Sequence, residues 1–185
     1  MAKKTFNSPK ITLDEVSQEF DLKKLFGVDL DAPELMEYIG ERIIEKIRER
    51  TLDGKGINGK NLKKPYSESY SKTPEFKAFG KSKSNVNMTL SGDMLGLMQI
   101  IEAEDGKIKI GWDDPEQTAK AYNHNAGDTL PKRPFFGLNN TETKELVREL
   151  RPEIKKAIEI KERDGDSAFD KFASRLLEEI DGEDS

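Results

Sequence analysis

The sequence predicts an α+β fold: a small antiparallel β-sheet with a central hairpin, packed on one face by amphipathic helices, plus an N-terminal arm and C-terminal helices. Three observations predict it. Asp105-Gly106 stands between residues 99–104 and 107–112, and Asp-Gly favours the type I′ turn that joins antiparallel strands. Leu35, Ile39, Ile43 and Ile47 recur every four residues, which gives one helix a single apolar stripe. A second stripe, Leu146, Val147, Leu150, Ile154, Ala157 and Ile158, runs on through Pro152.

The 185 residues allow one domain of ordinary size with an extension. Only 34% are apolar while 36% are charged, so one modest core carries a large solvated or partner-covered surface. Three parts are expected: an arm at 1–30, an α+β domain at 31–163 with a long basic loop at 51–85, and a C-terminal helix with an acidic tail at 164–185. With no cysteine, disulfides and thiolate metal sites are excluded. No apolar run approaches the ~18 residues of a membrane span. The start, MAKKTFNSPK, lacks the apolar region of a signal peptide, so a cytoplasmic protein without membrane contact is expected.

In the arm, Thr12 and Glu15 have capping-box spacing and predict a short helix, with Leu13, Val16 and Phe20 on one side. Phe20, Leu22, Leu25 and Phe26 exceed what so short a piece buries alone. A helix over 32–50 follows, with Asp31 as N-cap, Pro33 in the first turn, and Met36 and Ile44 widening the stripe. Residues 51–85 show no sustained period, and a loop of that length is functional or disordered in isolation. Tyr66 and Tyr70 are its expected anchors.

Residues 86–90 alternate and predict a strand, followed by a turn at 91–93 and a short helix over 94–98. In the hairpin Ile108, Ile110 and Trp112 face one way, Lys107, Lys109 and Gly111 the other. Asp114, Pro115 and Gln117 start the next helix, which Gly127 ends. Residues 128–132 are a loop, and 133–138 an extended segment. Asn139 and Glu142 open a helix kinked near Pro152. After the break at 164–166, a last helix over 167–180 carries Phe169, Phe172, Ala173, Leu176, Leu177 and Ile180.

No set of residues forms a catalytic, cofactor or metal site. Residues 54–59 match G-x-G-x-x-G, and 54–60 match G-x-x-x-x-G-K. A helix precedes them, no helical period follows, and Asn61 replaces the magnesium-binding hydroxyl, so a flexible glycine loop is the reading. His124 is the one histidine and sits on the last turn of a helix, where the helix dipole favours it. Asp113, Asp114 and Glu116 have the spacing of a cap, and Asp164 and Asp166 are a fragment of a calcium loop without its other ligands.

Lys55, Lys60, Lys63, Lys64, Lys72, Lys77, Lys81 and Lys83 face only Glu68 and Glu75 within residues 54–85. These lysines, with Tyr66 and Tyr70, could contact nucleic acid. The plainer reading is that the lysines keep a loop soluble and the tyrosines pin it to the domain.

Four segments, Pro65-Tyr66-Ser67-Glu68-Ser69-Tyr70, Leu90-Ser91-Gly92-Asp93-Met94-Leu95, Ala119-Lys120-Ala121-Tyr122-Asn123-His124-Asn125-Ala126-Gly127 and Arg133-Pro134-Phe135-Phe136-Gly137-Leu138, follow one another in a familiar order. Together they resemble the virion-morphogenesis or tail-completion proteins of tailed bacteriophages, of the Mu-like type. The resemblance covers residues 35–150 and leaves out 1–30 and 167–180.

It implies a small α+β domain that assembles as a homo-oligomeric ring at the head–tail junction, as a neck or tail-terminator protein, without enzyme activity or cofactor. The implied partners are other neck, connector or tail-tube proteins, with packaged DNA in the channel, and the implied location is the virion after assembly in a bacterial cytoplasm. In an extended segment Phe135 and Phe136 point to opposite faces. One is therefore expected to pack inward and the other to meet a neighbouring subunit, with Arg133, Leu138, Tyr66 and Tyr70 at the same boundary. The eight lysines are expected to face DNA or an acidic partner ring. The alternative is a non-virion nucleic-acid-binding module using the Lys/Tyr-rich loop 54–85.

Overall fold

The computed structural model describes residues 8–30, 32–62, 65–84, 86–88 and 93–183. Its first elements are strands β1 (Lys10–Ile11) and β2 (Val16–Asp21), followed by helix α1 (Leu22–Phe26). The helix expected from Thr12 and Glu15 is a hairpin turn instead. Thr12 Oγ1 accepts from the Glu15 backbone N–H at 3.1 Å, and the two residues exchange backbone hydrogen bonds. Val16, Gln18 and Phe20 are buried on one face of β2, a period of two that overrides the helical spacing.

Helix α2 (Pro33–Leu52) buries Leu35, Ile39, Ile43 and Ile47 as expected. Ala32 stands at its N-cap without a side-chain bond, and the expected cap Asp31 lies outside the described residues. Short helices α3 (Glu68–Ser71) and α4 (Pro74–Ala78) follow, capped by the hydroxyls of Ser67 and Thr73. Residues 86–88 are not the strand their alternation suggested. Val86 and Met88 are both buried, and Met88 has φ of 60°, which breaks extended backbone. Residues 89–92 lie outside the described residues.

Helix α5 (Asp93–Gly96) leads into the hairpin of β3 (Gln99–Glu104) and β4 (Lys107–Gly111). Asp105 and Gly106 both have positive φ, 50° and 67°, as the type I′ turn requires. The sheet is antiparallel throughout, in the order β1-β2-β4-β3, so β2 is an inner strand. Gln18 lies opposite Ile110 and Phe20 opposite Ile108, which puts both pairs on the buried face. Gly40 lets α2 approach that face, because a Cβ there would collide with the Ile100 side chain.

Helix α6 (Pro115–Ala126) has the expected ends: Asp114 accepts from the Gln117 N–H at 2.8 Å, and Gly127 is left-handed with φ of 78°. Helix α7 (Asn140–Asp164) opens with the Asn139–Glu142 capping box and runs through Pro152 as one element. Helix α8 (Asp166–Glu183) packs its apolar stripe on α2 and α7. One hydrophobic core joins the sheet's inner face to all of these helices. The outer face is polar and bears Glu19, Lys107, Lys109, Glu102 and Glu104. No helix among the described residues is long and apolar enough to cross a membrane.

Candidate functional site

The four segments that carry the resemblance meet in space, and the meeting starts at the end of α6. Gly127 turns the chain, and Lys132 packs so close that a side chain on Gly127 would strike its backbone. The returning strand of chain is then tied down: the Arg133 N–H donates to the His124 carbonyl at 2.7 Å. Asn125, buried one residue further along α6, anchors its own Nδ2 on the Ala121 carbonyl at 2.7 Å. Its Oδ1 accepts from two successive N–H groups, those of Phe135 at 3.0 Å and Phe136 at 3.1 Å.

That double acceptance is incompatible with extended backbone, in which successive N–H groups point opposite ways. The two phenylalanines therefore do not straddle a strand. Phe135 is 0% exposed and Phe136 1%, and both rings pack on Trp112, with centroids 6.2 and 5.0 Å away. The expectation that one of them meets a neighbouring subunit is corrected by this burial. Trp112 in turn donates its Nε1–H to the Met94 carbonyl at 2.6 Å, which brings in the second segment. Leu90, Ser91 and Gly92 of that segment lie outside the described residues.

Arg133 links the first segment. Its Nη2 donates to the Pro65 carbonyl at 3.0 Å, and its guanidinium stacks over the Tyr66 ring, 5.2 Å from the centroid. Tyr66, Tyr70 and Phe76 form a trio with centroids 5.2 to 5.5 Å apart, and this cluster orders the loop. Burial pushes the Tyr66 hydroxyl above its ordinary pKa, against backbone hydrogen bonds from Met88 and Asn87 and the charge of Arg133. Arg133, Leu138 and Tyr66 are buried and Tyr70 is half-buried. The residues expected at a subunit boundary thus pack the chain's own interior.

His124 sits beside this cluster. Burial, and then the positive charge of Arg133, hold its imidazole down from 6.5 to about 4, so it is neutral at ordinary pH. Its Nδ1 is buried without a hydrogen-bond partner among the described residues.

The glycine loop is ordered rather than flexible. Lys55 and Asn61 form an isolated bridge, the Ile57 N–H donates to the Pro134 carbonyl at 2.9 Å, and Asn139 Nδ2 donates to the Ile57 carbonyl at 2.7 Å. Its backbone is spent on bracing the aromatic turn.

Of the lysines, Lys55, Lys60, Lys72, Lys77 and Lys83 are exposed, while Lys81 is half-buried and donates to Asn87 at 3.2 Å. Lys63 and Lys64 lie outside the described residues. Glu68 pairs with both Lys72 and Lys83, and Asp53 with Lys55. Lys60 and Lys77 have no carboxylate partner among the described residues. Asp114 serves as the cap of α6, Asp164 pairs with Arg163, and Asp166 with Lys161. Among the described residues no group of three or more His, Asp or Glu is placed to hold a metal ion.

Two contributors escaped the sequence reading. Arg50 falls on the buried stripe of α2, in register with Ile43 and Ile47, and a charged residue there was the available signal. Gln18 is the second: it faces inward on β2, and its Oε1 accepts from the Leu138 N–H at 2.9 Å. Comparison with protein-family models, with curated proteins and with solved structures found no match.

Proposed function

We propose that this chain is a virion structural protein of a tailed bacteriophage, assembling as a ring at the head–tail junction to complete the tail or join it to the head. The observation that supports the reading is the convergence of the four resembling segments. Residues 65–70, 94–95, 119–127 and 133–138 are scattered along the chain, yet Arg133, Asn125, Trp112 and Met94 knit them into one buried unit. A set of short motifs that shares one structural task is a better signature than four independent resemblances. The ring would join other neck, connector or tail-tube proteins, with its lysines toward packaged DNA or an acidic partner ring.

The rival reading, a nucleic-acid-binding module outside the virion, needs Tyr66 and Tyr70 as stacking platforms. Both rings are engaged within the chain, so that reading rests on the lysines alone.

The deciding experiment is assembly in the absence of this protein. Phage made without it should accumulate separate heads and tails, seen by electron microscopy, and the purified protein should restore joined particles. Normal joined particles in its absence would end the proposal.

A further inference from the structure

Asn58 and Gly59 form the tip of a small closed loop. Its base is the bridge between Lys55 and Asn61, and above it the Gly56 N–H donates to the Lys60 carbonyl at 2.9 Å. Both tip residues are exposed. Just behind them Ile57 is tethered by its N–H to Pro134 and by its carbonyl to Asn139, so this loop braces the aromatic turn.

An asparagine amide is open to attack by the backbone nitrogen of the next residue when no side chain there stands in the way. Asn58 is the one asparagine in the sequence that glycine follows. Even a Cβ on Gly59 would meet nothing within 4 Å, so the surroundings leave the approach open as well. Asn58 Oδ1 accepts from the Lys60 N–H at 3.0 Å. That bond draws electrons from the amide carbon and stands where negative charge gathers during attack. The Gly59 N–H donates to the Gly56 carbonyl at 2.8 Å, a turn bond that must open first.

The other described asparagines are worse placed. Asn125 is buried in a helix with both ends of its side chain engaged. Asn139 is held in its capping box and Asn123 between Ala119 and Thr129. Asn61 and Asn87 precede Leu62 and Met88, whose side chains crowd the attacking nitrogen.

We propose that Asn58-Gly59 is a self-modifying site, at which the folded chain converts Asn58 to aspartate and iso-aspartate with water and hydroxide as co-reactants. Hydroxide takes the Gly59 amide proton, and the nitrogen attacks Asn58 Cγ. The new C–N bond closes a succinimide ring while the side-chain nitrogen leaves as ammonia, protonated by water. Water then opens the ring. Cleavage at Cγ gives aspartate, and cleavage at the backbone carbonyl gives iso-aspartate, whose main chain runs through Cβ and Cγ. Either product puts a carboxylate beside Lys60. Iso-aspartate also lengthens the backbone between tethered Ile57 and Lys60, which loosens the brace. The site is independent of the ring reading.

The test incubates the full folded chain at neutral and mildly alkaline pH and maps its peptides by mass spectrometry. Asn58 should be the most converted of the described asparagines, and faster at the higher pH. An Asn58 that stays an amide in the folded chain, while chain unfolded in urea converts it, would overturn the proposal by showing that the Gly56 bond locks the tip. Earlier conversion of Asn125 or Asn139 would also overturn it.

The loosening has its own readout. Iso-aspartyl chain separated by ion exchange should melt about 2–4 °C below fresh chain, as for the loss of one internal hydrogen bond at this size. Asn58→Ser keeps an acceptor for the Lys60 N–H and should age without that drop. Asn58→Asp, with the charge but the ordinary backbone, should melt with the fresh chain. Iso-aspartyl chain that melts with fresh chain, or a serine variant that drops as far on ageing, would overturn the loosening.

Discussion

Arg50 and Glu142 form a buried ion pair, Nη1 to Oε2 at 2.7 Å, that joins the last turn of α2 to the first turn of α7. Glu142 uses the same oxygen to accept from the Asn139 N–H at 3.0 Å, closing its capping box. Arg50 also donates to the carbonyls of Gly137 and Phe135. One guanidinium thus fastens the aromatic turn to both flanking helices.

Removing it strands a buried carboxylate and two carbonyls. Arg50→Met should cost about 3–5 kcal/mol, the range for breaking one side of a buried pair. Arg50→Met combined with Glu142→Gln should be less than additive, since the second change removes the stranded charge. Denaturant titrations of the single and double variants measure this, and strict additivity would show that the pair is not coupled.

Phe135→Ala and Phe136→Ala, made separately, should each lose about 3–5 kcal/mol, because both rings are buried on Trp112. Asn125→Ala should cost about 2–4 kcal/mol by leaving two buried N–H groups unsatisfied. If one phenylalanine variant kept full stability and lost self-association instead, the burial described above would be wrong for the free chain.

Acid should weaken the fold through His124. In the unfolded chain an imidazole takes its proton near 6.5, whereas the folded chain holds His124 neutral down to about 4. Between those values the unfolded state binds more protons, so stability falls as pH falls. From about pH 7 to about pH 5 the loss from this group is on the order of 2 kcal/mol. His124→Gln should flatten that part of the profile. Midpoints of unfolding at the two pH values decide it: equal acid sensitivity in both proteins would assign the effect elsewhere.

Gly27 and Gly137 both have positive φ, 82° and 95°, but stand in different surroundings. A Cβ on Gly27 meets nothing within 4 Å, so Gly27→Ala should cost only the strain of left-handed backbone, about 1–2 kcal/mol. A Cβ on Gly137 would strike Pro9 and come within 2.8 Å of the Gln18 oxygen that Leu138 needs. Gly137→Ala should cost roughly 3–5 kcal/mol by strain and overpacking together. Thermal melts of the two variants compare them directly.

What could be read from sequence was local. Asp105-Gly106, the stripe of α2, the ends of α6 and the Asn139–Glu142 box each depend on residues a few positions apart, and each formed as expected. β2 was misread because Leu13, Val16 and Phe20 also fit a helix, and Gln18 hides the alternation. Only pairing with β4, far along the chain, settles its state.

The aromatic turn failed for a related reason. Assigning Phe135 and Phe136 to opposite faces assumed an extended backbone, and Asn125, a side chain on another element, imposes a different one. Residues 86–88 alternate like a strand, but Met88 takes a conformation that no alternation reveals.

The place of β2 inside the sheet also orders events in time. Ser17 pairs with Gly111 and Asp21 with Lys107, so β1 and β2 must wait for the middle of the chain before the sheet can close. Meanwhile α2 and the loop after it emerge with their apolar stripe uncovered. Contacts so distant along the chain slow folding, and a nascent chain that stops short of β4 leaves β2, among the described residues, with the two residues of β1 as its one strand partner.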